Sequence, residues 1–351
     1  MNECSTGFTG FLPIWSLSNT KEFLNIALYS IISFAISFGP FFIVIVCFVV
    51  YLCVGMMSLL WILSGYAFTY VSYFRTRDKL DRWGCGMDFW KHLRRAMNGK
   101  IIMDGKHKPD TANKYIFAYH PHGAFPMTLA WLLNSTEFRL YYNIDNNREC
   151  EGLKDMQILM SSLAFYMPFV REMCIGAGGK EITKEILSDT LKVNKHVVLC
   201  PGGVAEMYLT PSANREDKKT LNISTKHKGF IKYAIKYGRP VIPILSFGEQ
   251  ELFTVTKWSS SLEDLLRKRI DGRLTFPWFS GRYGLPIPRY VPITCVIGKP
   301  MRVEQMDNPT QAVIDKYHRR FYKTIKTLFH KYKEHPDVGV RYSDIKFVDT
   351  S

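Results

Sequence analysis

The feature that most constrains how this chain can fold is a run of 52 residues, 23–74, that contains no Asp, Glu, Lys, Arg or His. One transmembrane helix needs about 20 apolar residues, so the run is long enough for two. Pro40, preceded by Gly39, interrupts the run, because proline removes a helix hydrogen-bond donor. We therefore predict a transmembrane hairpin over residues 23–74. A single long or re-entrant helix with an interfacial segment is the alternative.

Basic residues follow the run directly and predict its orientation. They are Arg75, Arg77, Lys79 and Arg82. Because the cytosolic flanks of transmembrane helices are enriched in Lys and Arg, we expect the chain beyond residue 74 to lie in the cytosol. A two-helix hairpin then returns the N-terminal tail, residues 1–22, to the same side. Since the run holds no ionisable side chain, we interpret it as an anchor rather than as a pore or transporter segment.

The rest of the chain is basic. Residues 1–74 contain one basic and two acidic side chains, so the remainder carries 45 basic and 29 acidic ones. This balance favours anionic partners such as a membrane surface or a phosphorylated co-substrate. The basic residues form no recognisable nucleic-acid-reading motif, so we expect no nucleic-acid partner. The eight cysteines are scattered without a C-x-x-C pair, which is typical of a reducing compartment.

Strand-like and helix-like segments alternate beyond the apolar run, which predicts an α/β domain over residues 75–351. Apolar runs typical of buried strands lie at 115–119, 196–200, 241–247 and 293–297, and helical periodicity is clearest at 182–191, 230–235 and 313–332. A glycine-containing loop follows each strand-like run. Because ligands of open α/β sheets bind beyond the carboxyl ends of strands, we expect the four loops to form a site along one sheet edge.

The first of these loops, His120-Pro121-His122-Gly123, offers the strongest candidate chemistry. Histidine accepts protons near neutral pH, and a strand end holds the ring rigidly. Gly123 allows a close backbone approach to a ligand. Two packed histidines without a chemical role are one alternative, and a pair of zinc ligands is another. Zinc would need a third ligand, and no further His, Asp or Cys cluster presents itself, so we expect no metal.

Two glutamates follow later strands and are candidates for functional residues in the same site as these histidines. Pro201-Gly202-Gly203 is able to present backbone N–H groups to an oxyanion or a phosphate, and Glu206 comes directly after it. Glu206 is expected to orient a histidine or to fix a substrate hydroxyl, with a surface position as the alternative. Glu249 follows the next strand in the same way, with a buried salt bridge as its alternative role.

Two further segments are candidates for contact with substrate or membrane. Lys228, Lys232 and Lys236 share one helical face, which indicates either a bound anion or a solvated surface. Residues 272–292 are rich in Gly, Pro and aromatic residues and have no helical period. A long irregular segment of this kind is usually functional or disordered, and its aromatics argue against disorder. We expect it to lie against the membrane.

Several of these motifs together resemble the type-two diacylglycerol acyltransferase family, which includes monoacylglycerol and wax-alcohol acyltransferases. The motifs are Tyr119-His120-Pro121-His122-Gly123, Pro201-Gly202-Gly203 with Glu206, Lys228-Gly229-Phe230, Ser246-Phe247-Gly248-Glu249, Gly298-Lys299-Pro300 and residues 308–318. The resemblance spans roughly residues 75–333. It implies a membrane-anchoring helical hairpin followed by an αβα acyltransferase domain with a mixed, largely parallel sheet.

The resemblance also implies an activity and its partners. We expect an enzyme of the endoplasmic-reticulum membrane that moves a fatty acyl group from acyl-CoA to a lipid hydroxyl, diacylglycerol first among the acceptors. Acyl-CoA, a neutral lipid acceptor and membrane lipids are the expected partners; no bound cofactor is expected, and homo-oligomerisation is left open. A monoacylglycerol or wax-alcohol acyltransferase is the alternative within the family. A metal-dependent hydrolase and a non-catalytic lipid-droplet hairpin protein are the rivals from other classes.

On this resemblance we expect His120 to act as the base, with His122 and Glu206 as the other catalytic residues. The oxyanion or the substrate is expected to contact Gly123, Pro201, Gly202, Gly203, Lys228 and Glu249. Related glycerolipid acyltransferases carry H-x-x-x-x-D, whereas Phe125 and Met127 stand at the aspartate's place here. Glu206, Glu249 or a backbone carbonyl must replace that aspartate, and the sequence does not choose between them. His227 stands where family members commonly carry an arginine.

Overall fold

The computed structural model describes residues 45–46, 48–49, 60–61, 63–69, 88–105, 109–110, 113–142, 144, 155–166, 170–210, 219–256, 278–285 and 287–349. The predicted tail, residues 1–22, lies outside this part of the chain, as does most of the predicted hairpin. The described hairpin residues are helical, and several of their large apolar side chains are exposed. Within the described ranges, no helix combines the length and apolar character needed to span a bilayer. The transmembrane hairpin stays a prediction.

A seven-stranded mixed sheet forms the centre of the fold, in the order β1-β10-β7-β2-β5-β3-β4. Its strands are β1 (Lys100–Met103), β2 (Ile116–His120), β3 (Met156–Met160), β4 (Gly179–Glu181), β5 (His196–Leu199), β7 (Val241–Phe247) and β10 (Thr294–Ile297). Strands β7, β2, β5, β3 and β4 run parallel, whereas β10 and β1 run the other way. Strands β2, β5 and β7 are completely buried, because they are apolar on both faces. The expected α/β class and largely parallel sheet are confirmed.

Helices cover both faces of this sheet. They are α1 (Asp88–Ala96), α2 (Met127–Leu133), α3 (Thr136–Tyr141), α4 (Ser162–Tyr166), α5 (Val170–Gly176), α6 (Lys184–Lys192), α7 (Gly203–Leu209), α8 (Gly229–Lys236) and α9 (Gln311–Tyr332). One core joins Phe117 of β2 to side chains of α1, α2 and α3. The second core joins Ala118 of β2 to side chains of α6, α8 and α9. Adjacent residues of β2 therefore face different helix layers, as the two-residue period of a strand requires.

Two small sheets flank the large one. Strand β6 (Thr220–Ser224) pairs in parallel with β11 (Asp344–Val348), and β8 (Thr254–Thr256) pairs antiparallel with β9 (Trp278–Ser280). Strand β9 lies in the segment 272–292, which was expected to be irregular. Its Phe279 is buried, with its ring centroid 4.8 Å from that of Phe125. Phe279, one of the aromatic residues of this segment, therefore packs in the core. Contact of the segment with a membrane stays a prediction.

The four predicted strands are present, but their ends do not share one edge. Because β10 is antiparallel to β7, its carboxyl end lies beside the beginning of β7. The N–H of Gly298 accordingly donates to the carbonyl oxygen of Pro243 at 2.8 Å. The loop at Gly298 therefore lies at the opposite edge from His120, and the expectation of four assembled loops is wrong for β10. A buried antiparallel strand carries the same apolar pattern as a parallel one.

Candidate active site

His120 is the last residue of β2 and is completely buried, with 0% of its side chain exposed. Strand β2 lies in the middle of the sheet between β7 and β5, and the His120–Pro121 peptide bond is cis. The Nδ1 atom of His120 lies 2.7 Å from Oε1 of Glu206, whose side chain is also 0% exposed. The structure thus pairs the side chains of two of the three predicted catalytic residues.

Glu206 reaches His120 because the chain after β5 turns directly into α7, and β5 is the neighbour of β2. Its Oε2 accepts a hydrogen bond from the backbone N–H of His122 at 2.6 Å, and its Oε1 accepts one from that of Ser224 at 3.1 Å. An ionised carboxylate offers only acceptors, so the imidazole is the donor in the third bond, through Nδ1. A neutral imidazole with its proton on Nδ1 keeps a free lone pair on Nε2.

The Nε2 atom of His120 is buried and has no hydrogen-bond partner among the described residues. The rings of Phe321 and Tyr322, from α9, pack against the imidazole with centroids 6.0 and 5.5 Å away. The hydroxyl of Tyr322 donates to the carbonyl oxygen of Ser224 at 3.1 Å, so Ser224 connects Tyr322 with Glu206. The buried ring therefore has one nitrogen held by Glu206 and one nitrogen without a hydrogen-bond partner among the described residues.

The two glycines before Glu206 have different roles. A Cβ built on Gly202 would lie 1.9 Å from Cδ of Glu206, so only glycine leaves room for the carboxylate. Gly203 has a φ of +49° and open space around its Cα. Its N–H donates to the carbonyl oxygen of Cys200 at 3.1 Å, which closes the turn after β5. That N–H is therefore not free for an oxyanion, contrary to expectation. Pro201 is buried in the same turn.

His122 and Gly123 form the exit of the histidine loop. The Nδ1 atom of His122 lies 3.0 Å from the carbonyl oxygen of Gly123, and burial lowers the pKa of the ring. Gly123 has a φ of +60°, and a Cβ there would lie 3.1 Å from Cγ of Glu249. Gly123 is therefore needed for the turn and for the close approach of Glu249, which leaves its predicted contact with substrate a prediction.

Glu249 lies on the other face of the sheet from His120. Its carboxylate accepts hydrogen bonds from the hydroxyl of Tyr119 at 2.8 Å and from the N–H of Met127 at 2.6 Å, and it also accepts one from the hydroxyl of Thr128. Burial raises the pKa of Glu249 to about 7. The buried salt bridge that was the alternative role for Glu249 is not formed among the described residues, because the carboxylate binds the first N–H groups of α2 instead. Of the two candidate glutamates, Glu206 is the one that hydrogen-bonds His120.

Comparison with known proteins decides the family. A family model described as diacylglycerol acyltransferase matches residues 49–345. The chain belongs to the diacylglycerol acyltransferase family. It is an acyltransferase enzyme.

Individual relatives of this family member agree with that assignment. The chain is 30% identical over 262 residues to diacylglycerol O-acyltransferase 2 of Danio rerio, covering 70% of this chain and 67% of that one. It is 27% identical over 259 residues to 2-acylglycerol O-acyltransferase 3 of Homo sapiens, covering 70% and 71% respectively. A crystal structure of the 1-acyl-sn-glycerophosphate acyltransferase of Thermotoga maritima aligns over 89% of this chain and 97% of its own, at 12% identity and a TM-score of 0.39. That TM-score is too low to support an inference.

The remaining predicted site residue of this acyltransferase, Lys228, lies at the start of α8. Its Nζ forms a salt bridge of 2.8 Å with Asp315 of α9, so part of its charge is already compensated. Ser224, His318 and Tyr322 also lie around His120 and were missed from the sequence. His318 and Tyr322 are four residues apart on α9, and this spacing, which places them on one helical face, was the sequence pattern that could have identified them. In the part of the chain that the structure describes, no three His, Cys, Asp or Glu side chains are placed to hold a metal ion.

Proposed function

We propose that this acyltransferase moves a fatty acyl group from acyl-CoA to the free hydroxyl of diacylglycerol, which gives triacylglycerol. The observation that carries the proposal is the buried His120, with Nδ1 held by Glu206 and Nε2 without a partner among the described residues. Such a ring is a general base positioned for a substrate hydroxyl. The diacylglycerol O-acyltransferase named among the relatives supports the choice of acceptor.

The proposed reaction needs no covalent enzyme intermediate, because a thioester is already an activated acyl donor. Nε2 of His120 takes the hydroxyl proton while the hydroxyl oxygen forms a bond to the thioester carbon. The tetrahedral intermediate collapses, the carbon–sulfur bond breaks, and the leaving thiolate takes the proton back from the imidazolium. Glu206 keeps the ring in the required tautomer and stabilises the transient positive charge, as the aspartate of a catalytic triad does.

Complete burial of His120 favours transfer over hydrolysis. A ring from which bulk water is excluded meets the alcohol in preference to water, provided that the substrates displace part of its cover. Phe321 and Tyr322 belong to that cover. A metal-dependent hydrolase, the rival hypothesis, would need further metal ligands beside the histidines, and no three His, Cys, Asp or Glu side chains among the described residues are placed to hold a metal ion. The buried pair therefore supports an acyltransferase that uses an organic base.

Monoacylglycerol is the second candidate acceptor, because one relative is named 2-acylglycerol O-acyltransferase 3. Both acceptors present a primary or secondary hydroxyl to the same base, so the chemistry of His120 does not separate them. A long-chain alcohol suits the same step.

We further propose that the enzyme is anchored in the endoplasmic-reticulum membrane by residues 23–74, with its catalytic domain in the cytosol and lipid droplets as a second location. The uncharged run and the basic cluster that begins at Arg75 support this orientation. Exposed apolar side chains in the helical residues 60–61 and 63–69, such as Trp61 and Phe68, suit a bilayer rather than water. An anchored enzyme would meet its water-insoluble acceptor within the membrane.

The direct test is an acyl-transfer assay in microsomes that contain the full-length chain. Labelled palmitoyl-CoA is supplied with diacylglycerol, monoacylglycerol or a long-chain alcohol, and each lipid product is identified by mass spectrometry. We expect labelled triacylglycerol as the main product, and a zinc chelator to leave the rate unchanged. Labelled free fatty acid as the main product with every acceptor, or loss of activity to the chelator, would overturn the proposal.

A further inference from the structure

A second buried imidazole lies close to His120 and is not used by the proposed mechanism. His318 of α9 is 7% exposed, and its Nε2 has no hydrogen-bond partner among the described residues. Its ring centroid lies 4.8 Å from that of Tyr322, which in turn lies 5.5 Å from that of His120. Two buried imidazoles, each with an unpartnered Nε2, therefore flank one tyrosine ring.

The surroundings of His318 determine which kind of group it can bind. Burial, with a further contribution from the positive charge of Lys228, lowers the pKa of the ring, which favours the neutral form. The ring hydrogen-bonds the backbone of Thr225, whose N–H already donates to Val348, so the carbonyl is the acceptor. Nδ1 is consequently the donor, and Nε2 is left as a buried acceptor. A buried acceptor without a partner is costly, so Nε2 suits a ligand that donates an N–H or O–H.

A basic track leads away from His318 along α8. The ring of Phe230 in the first turn of α8 lies 6.4 Å from that of His318. Lys232 and Lys236 follow Lys228 at one and two helical turns, about 6 and 12 Å along the axis. Both are exposed, and neither forms a salt bridge with another described residue.

Lys232 and Lys236 also line a cavity of about 230 Å³ between α8 and the segment before α9. Its other lining residues are Tyr233, Asp307, Asn308 and Pro309. The lining thus contains two lysines against one carboxylate, together with an aromatic ring and an amide. An anionic ligand with a polar ring fits this composition.

We propose that the coenzyme A part of the acyl donor binds along α8, with its cysteamine amide N–H on Nε2 of His318 and its phosphates on Lys232 and Lys236. The inference rests on the proposed use of acyl-CoA. The thioester group has no N–H or O–H, and the proton of the alcohol goes to His120. The amide N–H two carbons from the sulfur is therefore the nearest remaining donor on the substrates. In this arrangement His318 is a positioning residue for the thioester.

The His318 contact is tested by removing the hydrogen bond either from the acyl donor, by replacing its amide N–H, or from the enzyme, by substituting His318. Three acyl donors are compared: palmitoyl-CoA, S-palmitoyl-N-acetylcysteamine, and the analogue of the latter with an ester oxygen in place of the amide N–H. We expect the wild-type enzyme to prefer the amide donor over its ester analogue by about 3- to 10-fold in kcat/KM, the effect of one net hydrogen bond. His318→Phe should abolish this preference, and His318→Gln, whose amide oxygen accepts a hydrogen bond, should restore it.

The ratio of two donors is measured on one enzyme preparation, so a lower amount of folded protein does not affect it. An unchanged preference in His318→Phe would overturn the His318 assignment. A change confined to acceptors with a second hydroxyl would also overturn it, because His318 would then bind the alcohol. Failure of the wild-type enzyme with every thioester would instead refute the proposed function itself.

The lysine contacts are tested with the Lys232→Gln/Lys236→Gln double variant. We expect its KM for palmitoyl-CoA to rise about 10-fold with little change in kcat, and its kinetics with S-palmitoyl-N-acetylcysteamine, which lacks phosphates, to stay as in the wild type. The matched control is Lys323→Gln/Lys326→Gln, which removes two exposed lysines of α9 and should leave both donors unaffected. An equal loss with both donors would overturn the proposal. So would a KM effect that appears only in vesicles containing phosphatidylserine, because the lysines would then bind lipid headgroups.

Discussion

Glu206 and Glu249 are two fully buried carboxylates on opposite faces of the same strand, β2. Glu206 binds an imidazole whose second nitrogen has no partner in the described part of the chain. Glu249 binds the first N–H groups of α2 and the hydroxyl of Tyr119, which donates its single proton to the carboxylate. Burial does not distinguish the two, and Glu249 accepts hydrogen bonds from more groups than Glu206 does. What distinguishes them is whether the bonded partner retains a group that can act on substrate.

The arrangement has a simple cause in the geometry of β2. Successive side chains of a strand point to opposite faces, so Tyr119 and His120 cannot share a partner. The loop after β5 supplies the carboxylate on the His120 face, and the loop after β7 supplies the one on the Tyr119 face. We therefore expect changes on the first face to affect turnover and changes on the second to affect stability.

The largest effect should come from substituting the two adjacent residues of β2. His120→Ala removes the base and should lower kcat by about 10²- to 10⁴-fold, the range for loss of a general base. Tyr119→Phe removes only a hydroxyl bound to Glu249 and should leave kcat within about 3-fold of the wild type. Acyl transfer is measured in microsomes with equal amounts of inserted protein. Wild-type turnover by His120→Ala would contradict the assignment of the base.

The two glycines before Glu206 sharpen the comparison within one turn. Gly202→Ala places a Cβ on the carboxylate of Glu206 and should lower kcat by about 10²-fold, because Glu206 is displaced from His120. Gly203→Ala has space for its Cβ but a positive φ, so it should cost about 1 kcal/mol of stability and little activity. Steady-state kinetics and thermal unfolding in detergent separate the two effects. Equal kinetic losses in both variants would show that the turn, rather than Glu206, is being disturbed.

His122 should be much less sensitive than His120. It contacts Glu206 through its backbone N–H, which alanine retains, and its ring bonds only the carbonyl of Gly123 among the described residues. We expect His122→Ala to lower kcat by less than about 10-fold. A loss as large as that of His120→Ala, measured in the same assay, would give the His122 ring a direct role in the chemistry.

The smallest effect concerns the pH dependence of stability. The pKa of Glu249 is raised to about 7, so its contribution to stability is present at low pH and is lost as the pH rises through 7. We expect the apparent Tm of the wild type to fall by about 2–4 °C between pH 5.5 and 7.5 relative to that of Glu249→Gln, which does not titrate. Parallel pH profiles for the two proteins would show that this carboxylate is ionised throughout.

The strands of the core could be predicted from the sequence because each is a short run that is apolar on both faces. β7, for example, covers the predicted residues 241–247. The direction of β10 could not be predicted, because burial gives parallel and antiparallel strands the same pattern. The membrane hairpin rests on the longest uncharged run of the chain, which lies mostly outside the described residues.

The partner of His120 could not be chosen from the sequence, because Glu206 is 86 residues away and reaches it only through the order of the strands. Once β5 and β7 are known to flank β2, the alternation of Tyr119 and His120 separates the two glutamates. His318 and Tyr322 could not be recognised as site residues from the sequence, because they belong to the apolar face of α9 and their spacing is the same as that of core residues. Local periodicity therefore predicts the elements, whereas the site depends on how the sheet is ordered.

The pairing of Glu206 with His120 is tested most directly by comparing Glu206→Gln with Glu249→Gln. Both variants replace one buried carboxylate by its neutral isostere, and single-turnover acyl transfer is measured for each at the same concentration of inserted enzyme. We predict that Glu206→Gln is slower than the wild type by about 10³-fold, because the imidazolium loses its counter-charge, and that Glu249→Gln stays within about 3-fold. Equal rates for the two variants would contradict the account.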